Sequence, residues 1–531
     1  MSDPRARPGL GPAIDPGRAS ISAVADRLAL IVLLTGMAVS LLWLVHPYYH
    51  PRGDTAIYIR TAEALLDGEG YSYMGQPFVV RPPGLSILLV PILYFWKGSF
   101  YALNLFTNLL GLLCVAALFL FVRNRVGTLV AFALCCAIWL GPGFRQLTSE
   151  VLSDVPGTAL LIGCLLLERR FRREPSVRTD SVLGLLIGLS SYVRTASLIL
   201  IPAIVLSRVL RREISPGSWP TRVTASIRRS LMLVAVPLLM LVPWQLRNAS
   251  LAPSGPMEEL RIHSYAVAMW HADKGDPGSR KLTPTQILSR IPEMTSKMLG
   301  ALSSRMQSAR STLLGSISAV IGLACWLVVL IRRREPAELF VALYLLVISV
   351  YFGFAIRLAL PVYLFVLSAV AEIVRLAMSR FATVRTASMI TAGLIVILMI
   401  AEFNPRPHWK SLARHQRELR AVSDYLTERY SPDAVFAAHN GRHLAVMLDR
   451  PVHTLTFAYE RDGAQRVFEI LEERRVCAVL AEASQPLTQQ LLRRYPLVSS
   501  WRYYLVLEID SAACGPAPER RGDERTRVEA P

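Results

Sequence analysis

Long apolar runs separated by short polar segments dominate residues 28–402 of the chain. A helix that crosses a bilayer needs about 20 mostly apolar residues, and a helical hairpin can use shorter limbs. The pattern predicts an all-α polytopic membrane protein with about eleven membrane helices. They are the runs 28–45, 101–122, 127–142, 155–167, two limbs within 181–209, 230–246, 312–331, 337–356, 358–374 and 386–402.

Arginine clusters predict how these helices are oriented. Four arginines precede the first run, and further clusters follow the runs that end near residues 122, 167, 331 and 374. Positively charged flanks stay in the cytoplasm. The N-terminus is therefore predicted inside, and the first run is an uncleaved anchor. The loops 46–100 and 247–311 are predicted outside, and the protein belongs in the plasma (inner) membrane. Run 85–96 is too short for a span and predicts an interfacial or re-entrant helix.

The last part of the chain has a different pattern. A helical stretch at 411–430 leads to strand-like runs at 434–438, 452–457 and 476–481, and 497–509 reads as a strand or a hairpin. Residues 403–510 are therefore predicted to form a small α/β domain, placed on the extracytoplasmic side by the topology. Cys477 and Cys514 lie in and after this region, which leaves a disulfide open. The ends, 1–27 and 511–531, are polar and predicted to be disordered.

Composition supports the membrane class and limits the partners. Hydrophobic residues make up 53% of the chain and charged residues 18%, against about 25% in soluble proteins. The net charge of +19 would suit nucleic acid. The arginines, however, alternate with apolar runs as topology signals do, so no nucleic-acid partner is expected. The seven cysteines and nine histidines show no zinc spacing, and no metal ligands are assigned.

The polar stretch 46–84, HPYYHPRGDTAIYIRTAEALLDGEGYSYMGQPFVVRPPG, interrupts the apolar pattern. Residues 55–67 suit a short amphipathic helix. Asp54 directly precedes it and is the first catalytic candidate, a general base that removes a proton from an incoming hydroxyl. Arg-Gly-Asp-Thr also suits a turn, so a hydrated loop residue is the alternative. Arg81 begins the turn Arg-Pro-Pro-Gly that closes the stretch.

Glu150 and Asp154 lie in a second outer segment, SEVLSDVPG, on the same predicted side as Asp54. Residues four apart share one face of a helix, so both carboxylates are further catalytic candidates. Asp154 followed by Pro156 is also a good helix start, which gives a purely structural alternative.

Arg194 and Arg357 each lie inside an apolar stretch, SSYVRTASLIL and GFAIRLALPVYL. A buried arginine costs about 2.5–3.5 kcal/mol on insertion scales, so it needs a polar partner or a wet cavity. An ion pair with Glu150 or Asp154 would satisfy either residue, and so would a bound phosphate. Arg81 and Arg247 extend the phosphate-binding candidates, although arginine is common at span ends.

Taken together, these segments resemble the glycosyltransferase C superfamily. The segments are GDTAIYIRTAEALLDGEGYS after the first span, RPPG, SEVLSDVPG, YVRTA in a short hairpin, VPWQLRN before the second outer loop, and an arginine followed by LALPVYL. The order is most similar to the branch of dolichyl-phosphate-mannose protein mannosyltransferases and aminoarabinose lipid A transferases. That branch includes bacterial lipopolysaccharide-core transferases. The resemblance covers about residues 28–402.

The resemblance implies a polyprenyl-phosphate-linked sugar as donor and a glycan, lipid or protein hydroxyl as acceptor, on the outer face of the membrane. It places the base at Asp54, where many relatives have Asp-Glu and this chain has Asp54-Thr55. Glu150 and Asp154 match the second acidic region, and Arg194 and Arg357 match basic residues near the lipid phosphate. Some relatives bind a divalent cation, and this chain shows no clear ligands for one.

Two other functions compete with the glycosyltransferase. A polytopic transporter or lipid flippase would fit the membrane domain, but the chain lacks the repeated halves common in transporters. A non-catalytic envelope assembly protein would use residues 403–510 to bind a partner. A transporter also has less need for a large polar first loop and an outer α/β domain, which favours the enzyme.

Overall fold

The computed structural model describes residues 16–51, 53–172, 174, 176–211, 218–251, 264–272, 278–306, 312–351, 356–402 and 409–510. Helices dominate up to residue 402, and a sheet follows. The helices of the first half are α1 Pro16–Leu44, α2 Gly53–Leu66, α3 Gly84–Phe95, α4 Phe100–Val126, α5 Thr128–Leu140, α6 Pro142–Thr148, α7 Asp154–Phe171, α8 Val177–Val193, α9 Leu200–Leu210, α10 Trp219–Arg229 and α11 Leu231–Ala249.

The helices of the second half are α12 Tyr265–Trp270, α13 Pro284–Leu288, α14 Ile291–Met306, α15 Thr312–Arg333, α16 Pro336–Val350, α17 Leu360–Met378, α18 Val384–Glu402, α19 Trp409–Arg429, α20 Gly441–Leu448, α21 Thr456–Glu473 and α22 Pro486–Arg494. The strands are β1 Ser72–Tyr73, β2 Gln76–Pro77, β3 Phe436–Ala438, β4 Val452–Thr454, β5 Ala478–Glu482, β6 Leu497–Ser500 and β7 Tyr504–Glu508. Short 3₁₀ turns precede α9 at Thr195–Ile199 and α17 at Ile356–Ala359.

A multi-pass membrane protein was predicted, and the described helices agree with it. Where the structure describes them, the predicted apolar runs are mainly helical, but only five of the described helices are long and apolar enough to cross a membrane by themselves. They are Val24–Leu44, Phe100–Val126, Leu231–Ala249, Gly315–Arg333 and Arg357–Met378. Helices α5 and α6 would make a sixth span if the pair, bent by 65°, counts as one. Eleven crossings therefore remain a prediction, because the other runs form shorter or interrupted helices.

One predicted boundary shifts in the structure, and one predicted helix break is present. Helix α1 begins at Pro16, so residues 16–27 are helical where the sequence suggested a disordered tail. A helix can continue from the membrane into water because its backbone hydrogen bonds are internal. The remaining tails, 1–15 and 511–531, lie outside the described residues. The predicted break near Tyr192–Thr195 is present, since α8 ends at Val193 and Arg194 has an extended backbone.

Residues 409–510 form a five-stranded sheet in the order β4-β3-β5-β7-β6, with helices packed against it. Strand β3 pairs in parallel with β4 and β5, and β7 runs antiparallel to β5 and β6. The segment 497–509 is thus a hairpin. Cys477 is disulfide-bonded. Cys514, the other cysteine for which the sequence left a disulfide open, lies outside the described residues.

Candidate active site

Five charged side chains from four separate segments form an ion-pair chain at the ends of the membrane helices. Arg81 Nη1 lies 2.8 Å from Asp54 Oδ2, and Arg357 contacts the same Asp54 oxygen. Arg357 Nη1 also lies 3.8 Å from Asp154 Oδ2, and Arg194 Nη1 is 2.8 Å from Asp154 Oδ1. Positive and negative side chains alternate along this series of ion pairs, and three guanidinium groups share two carboxylates. We call these five residues the outer cluster, after the side of the membrane that the sequence predicts for them.

Both carboxylates of the outer cluster occupy the first turn of a helix. Asp54 is the second residue of α2, and Asp154 is the first residue of α7. The positive end of the helix dipole favours a negative charge at this position. Asp154 is therefore both the predicted helix start and a member of the charged cluster, so the two alternatives coexist.

Two of the arginines occupy breaks between helices. Arg194 separates α8 from the 3₁₀ turn that leads to α9, and Arg357 lies in the 3₁₀ turn that leads to α17. Tyr344 Oη donates to the Leu358 carbonyl oxygen at 2.9 Å and fixes the second turn. At such breaks the side chain leaves the helix end and can reach a central point between helices.

Two glycines in the predicted motifs allow the segments to approach. A Cβ on Gly84 would lie 2.6 Å from the backbone carbonyl of Tyr192, so RPPG packs directly on the residues before Arg194. A Cβ on Gly157 would lie 2.7 Å from Cβ of Arg194. No side chain larger than hydrogen fits at either position without a shift of the neighbouring segment. Both motifs therefore fix where the Arg194 guanidinium lies.

The electrostatics of the outer cluster keep Asp54 ionised. Burial would raise the pKa of the Asp54 carboxyl, but the Arg81 and Arg357 guanidinium groups overcome this and hold it well below its usual range. Exposure differs along the cluster: 26% of the Arg357 side chain is exposed, against 9% for Arg194 and 2% for Asp154. Arg357 is therefore the member most accessible to an incoming ligand.

The other two predicted site residues contact different groups. Glu150 Oε1 lies 3.6 Å from His50 Nε2 and accepts a hydrogen bond from Gln146 Nε2 at 3.1 Å. Arg247 donates to the carbonyl oxygens of Phe78 and Tyr71, each at 2.9 Å. These carbonyls flank the β1–β2 hairpin, so Arg247 ties α11 to the base of this hairpin.

Arg442, on α20, was not among the sequence candidates. Burial lowers the pKa of its guanidinium, and the negative charge of Asp54 acts in the opposite direction. Arg442 is only 7% exposed. The sequence feature that could have identified Arg442 is the polar segment His439–His443, which directly follows a buried strand. Functional residues of α/β domains often lie at this position.

A divalent cation does not fit the outer cluster. Its two carboxylates are each bound by guanidinium groups, and three positive charges would repel a metal ion. Among the residues that the structure describes, no group of three or more His, Cys, Asp or Glu side chains could hold a metal.

Comparison with known proteins places the fold. The chain is similar to the structure of ArnT from Cupriavidus metallidurans bound to undecaprenyl phosphate, with 13% identity and a TM-score of 0.54. The match covers 95% of this chain and 100% of that one. It is also similar to the archaeal oligosaccharyltransferase AglB from Archaeoglobus fulgidus, in complex with an inhibitory peptide and a dolichol-phosphate. There the identity is 12%, the TM-score 0.51, and the match covers 88% of this chain and 70% of that one.

No protein-family model and no curated protein matches the sequence. The similarity is thus carried by the arrangement of helices and not by residue identity. The predicted resemblance to the glycosyltransferase C superfamily is confirmed at the level of the fold.

Proposed function

We propose that this chain is a membrane glycosyltransferase that moves a sugar from a polyprenyl-phosphate donor to an acceptor hydroxyl. The observation that carries the proposal is the outer cluster, in which one ionised carboxylate lies between two arginines, one of them partly exposed. Arginine suits phosphate because its planar donors can bind two oxygens at once. The fold supports the same reaction class, since ArnT was solved with undecaprenyl phosphate and AglB with a dolichol-phosphate.

In this reaction the acceptor oxygen attacks C1 of the sugar, and the bond between C1 and the phosphate oxygen breaks. Asp54 takes the hydroxyl proton, and polyprenyl phosphate leaves with the electron pair. Direct displacement inverts the configuration at C1. Arg357 and Arg81 would stabilise the negative charge that grows on the leaving phosphate, which preorganised donors do well in a site shielded from water.

The free protein pairs Arg357 and Arg81 with the same carboxylate that is to act as base. A bound phosphate would compete with Asp54 for these two guanidinium groups. Donor binding would therefore release the Asp54 carboxylate toward the acceptor and raise its pKa. Asp154 would act as a positioning residue, because it anchors both Arg194 and Arg357.

Glu150 and Arg247 would shape the first outer loop. Glu150 lies beside His50, four residues before Asp54, and Arg247 bonds the backbone on both sides of the hairpin. We therefore assign them support of the loop in place of the catalytic and phosphate-binding roles expected from the sequence.

The proposed location is the outer face of the plasma membrane, with residues 409–510 outside. The arginine-rich ends of α4, α7 and α15 would face the cytoplasm, where positive flanks are retained. The disulfide of Cys477 supports the placement of the last domain, since disulfides persist mainly in oxidising compartments.

The test uses purified full-length protein in nanodiscs with a panel of polyprenyl-phosphate sugars and a membrane lipid extract. Mass spectrometry follows loss of each donor and the mass of each product. We expect one donor to be consumed by wild type and by Asp67→Asn, an exposed carboxylate just after α2, but at least about 100-fold more slowly by Asp54→Asn. Turnover that is unchanged in Asp54→Asn would remove Asp54 as the base, and no turnover of any donor would count against the transferase.

A further inference from the structure

Helix α10 has an apolar stripe on its exposed side and a polar stripe against the protein. Trp219, Val223 and Ile227 follow each other at intervals of four residues, and the first and last of them are 53% and 59% exposed. Arg222 and Ser226 form the neighbouring stripe, and both are buried. A surface helix of a globular protein has the reverse arrangement, with its apolar face toward the core. The exposed stripe of α10 is therefore suited to contact lipid.

Two contacts of Arg222 fix this orientation of α10. Arg222 Nη1 donates to the Val209 carbonyl oxygen at the end of α9, at a distance of 3.2 Å. The Arg222 guanidinium also lies over the ring of Trp219, 5.3 Å from its centroid. If the apolar stripe turned toward the protein, the buried guanidinium would lose its hydrogen bond, which is costly for a charged group.

Helix α10 lies at the opposite end of α11 from the outer cluster. Only Ser230 separates α10 from α11, a candidate membrane span of 19 residues and therefore about 28 Å long. At the far end of α11, Arg247 bonds the base of the β1–β2 hairpin, which lies between Asp54 and Arg81 in the chain. The start of α11, together with α10, thus belongs to the face of the membrane that the sequence predicts to be cytoplasmic.

Positive charge lies beside the apolar stripe. Arg228 and Arg229 occupy the last turn of α10, and both side chains are exposed. Successive residues of a helix point about 100° apart, so Arg228 lies on the side next to Ile227. Helices that lie in the membrane interface have this pattern, with an apolar side at the acyl chains and basic residues at the headgroups.

A buried ion pair brings a third arginine to the same corner. Arg208 on α9 donates to both carboxylate oxygens of Asp180 on α8, at 2.6 and 2.8 Å, and to Ser230 Oγ at 2.8 Å. These bonds hold the start of α8 against the junction between α10 and α11. Arg178 lies in the first turn of α8, and its side chain is exposed.

We propose that α10 is an interfacial helix that binds the headgroup phosphate of an anionic phospholipid, on the membrane face opposite the outer cluster. Arg228 and Arg229 would contact the phosphate, and Arg178 would add positive charge. Trp219 and Ile227 would enter the acyl-chain region. The lipid would thereby hold together the ends of α8, α9 and α11 that meet at this corner. The site is separate from the outer cluster and does not depend on the proposed transfer reaction.

The first test counts bound lipids. Full-length protein in detergent is mixed with equal amounts of phosphatidylglycerol and phosphatidylcholine, and native mass spectrometry counts the molecules of each that stay bound. Wild type should retain at least one phosphatidylglycerol more than the double variant Arg228→Gln, Arg229→Gln. The affinity for that lipid should fall by about 10- to 30-fold, because two arginines at an anionic headgroup are lost.

Two matched double variants control this test. Arg228→Lys with Arg229→Lys should retain the lipid, since attraction to an anionic membrane surface depends on charge. Arg474→Gln with Arg475→Gln removes the same charge from exposed positions of the α/β domain and should equal wild type. Equal phosphatidylglycerol counts for wild type and the Arg228→Gln, Arg229→Gln variant would overturn the proposal, and so would an equal loss in the α/β-domain control.

The second test locates Trp219. The protein is placed in nanodiscs of ordinary phosphatidylcholine, or of phosphatidylcholine brominated near the headgroup end of its acyl chains, where bromine quenches tryptophan fluorescence on contact. The difference in emission between wild type and Trp219→Phe isolates this residue among the nine tryptophans. Most of that difference should disappear in the brominated nanodiscs. An unquenched difference would mean that Trp219 contacts water or another protein, and it would overturn the proposal.

Discussion

The chain contains a second buried ion cluster that differs from the outer cluster in its construction. We call it the inner cluster: Arg125 pairs with Glu335 at 2.5 Å and with Glu338, and Arg333 pairs with Glu372 at 2.7 Å. Here three carboxylates share two arginines. All five residues lie within or directly beside long regular helices, α4, α15, α16 and α17.

The outer cluster has the opposite features. Three arginines share two carboxylates, and its members lie at helix starts, in a loop and at breaks between helices. Excess positive charge on residues at helix breaks is suited to bind an anion, whereas ion pairs without excess positive charge, formed between continuous helices, join those helices. The comparison indicates that burial and ion pairing alone do not identify a site. The sign of the excess charge and the conformation of the local backbone distinguish a ligand site from a structural ion cluster better.

The largest expected effect is a loss of activity, and it should follow a substitution in the outer cluster but not one in the inner cluster. Arg357→Gln should reduce kcat by about 100- to 1,000-fold, because one preorganised donor to the leaving phosphate is lost. The measurement is donor consumption per folded molecule in nanodiscs. Arg357→Lys should restore part of the activity, since charge returns without the planar pair of donors. Wild-type rates in Arg357→Gln would place the phosphate elsewhere.

The next effect is one of stability. Arg125→Gln should lower the free energy of unfolding by about 3–5 kcal/mol, because the buried Glu338 carboxylate loses its partner. Thermal unfolding in detergent is the readout, and Arg123→Gln, at a more exposed pair, should shift the midpoint less. The activity of each folded Arg125→Gln molecule should equal wild type. A large loss of activity without a loss of stability would contradict a structural role for the inner cluster.

Much of this comparison was visible in the sequence, but the pairings were not. Arg194 and Arg357 were identified because an arginine inside an apolar run needs a partner. Arg125 was interpreted only as a cytoplasmic flank, since Glu335 and Glu338 follow more than two hundred residues later in the chain. The sequence also predicted the α/β domain, but nothing in its pattern indicates that this domain packs against the segment around Asp54. Contacts between distant segments depend on how whole helices and domains pack.

A smaller effect should come from the glycine beneath Arg194. Gly157→Ala adds a Cβ that would overlap Arg194, so the guanidinium must move, and we expect about a tenfold loss of activity. Gly163→Ala is a matched control on the same helix, where no atom lies within 4 Å of an added Cβ. Equal activity of the two variants would show that the position of Arg194 is not critical.

The smallest effect concerns pH. A depressed pKa means that the Asp54 ion pair contributes stability above the ordinary aspartate pKa of about 3.9 and loses it only as the pH falls further. In the free protein Asp54 should therefore cause no acid limb in kcat/KM above about pH 5. The acid limb of kcat should lie at higher pH, because bound phosphate takes Arg357 and Arg81 away from Asp54. Coincident acid limbs would contradict the proposed exchange of partners.

The central claim is that Asp54 serves as base and competes with phosphate for the same arginines. Binding of polyprenyl phosphate and donor turnover should be measured in parallel on wild type and Asp54→Asn, reconstituted in the same nanodiscs. The account predicts that Asp54→Asn binds polyprenyl phosphate at least as tightly as wild type, since Arg81 and Arg357 are released, while turnover falls at least about 100-fold. Weaker binding with unchanged turnover would contradict it.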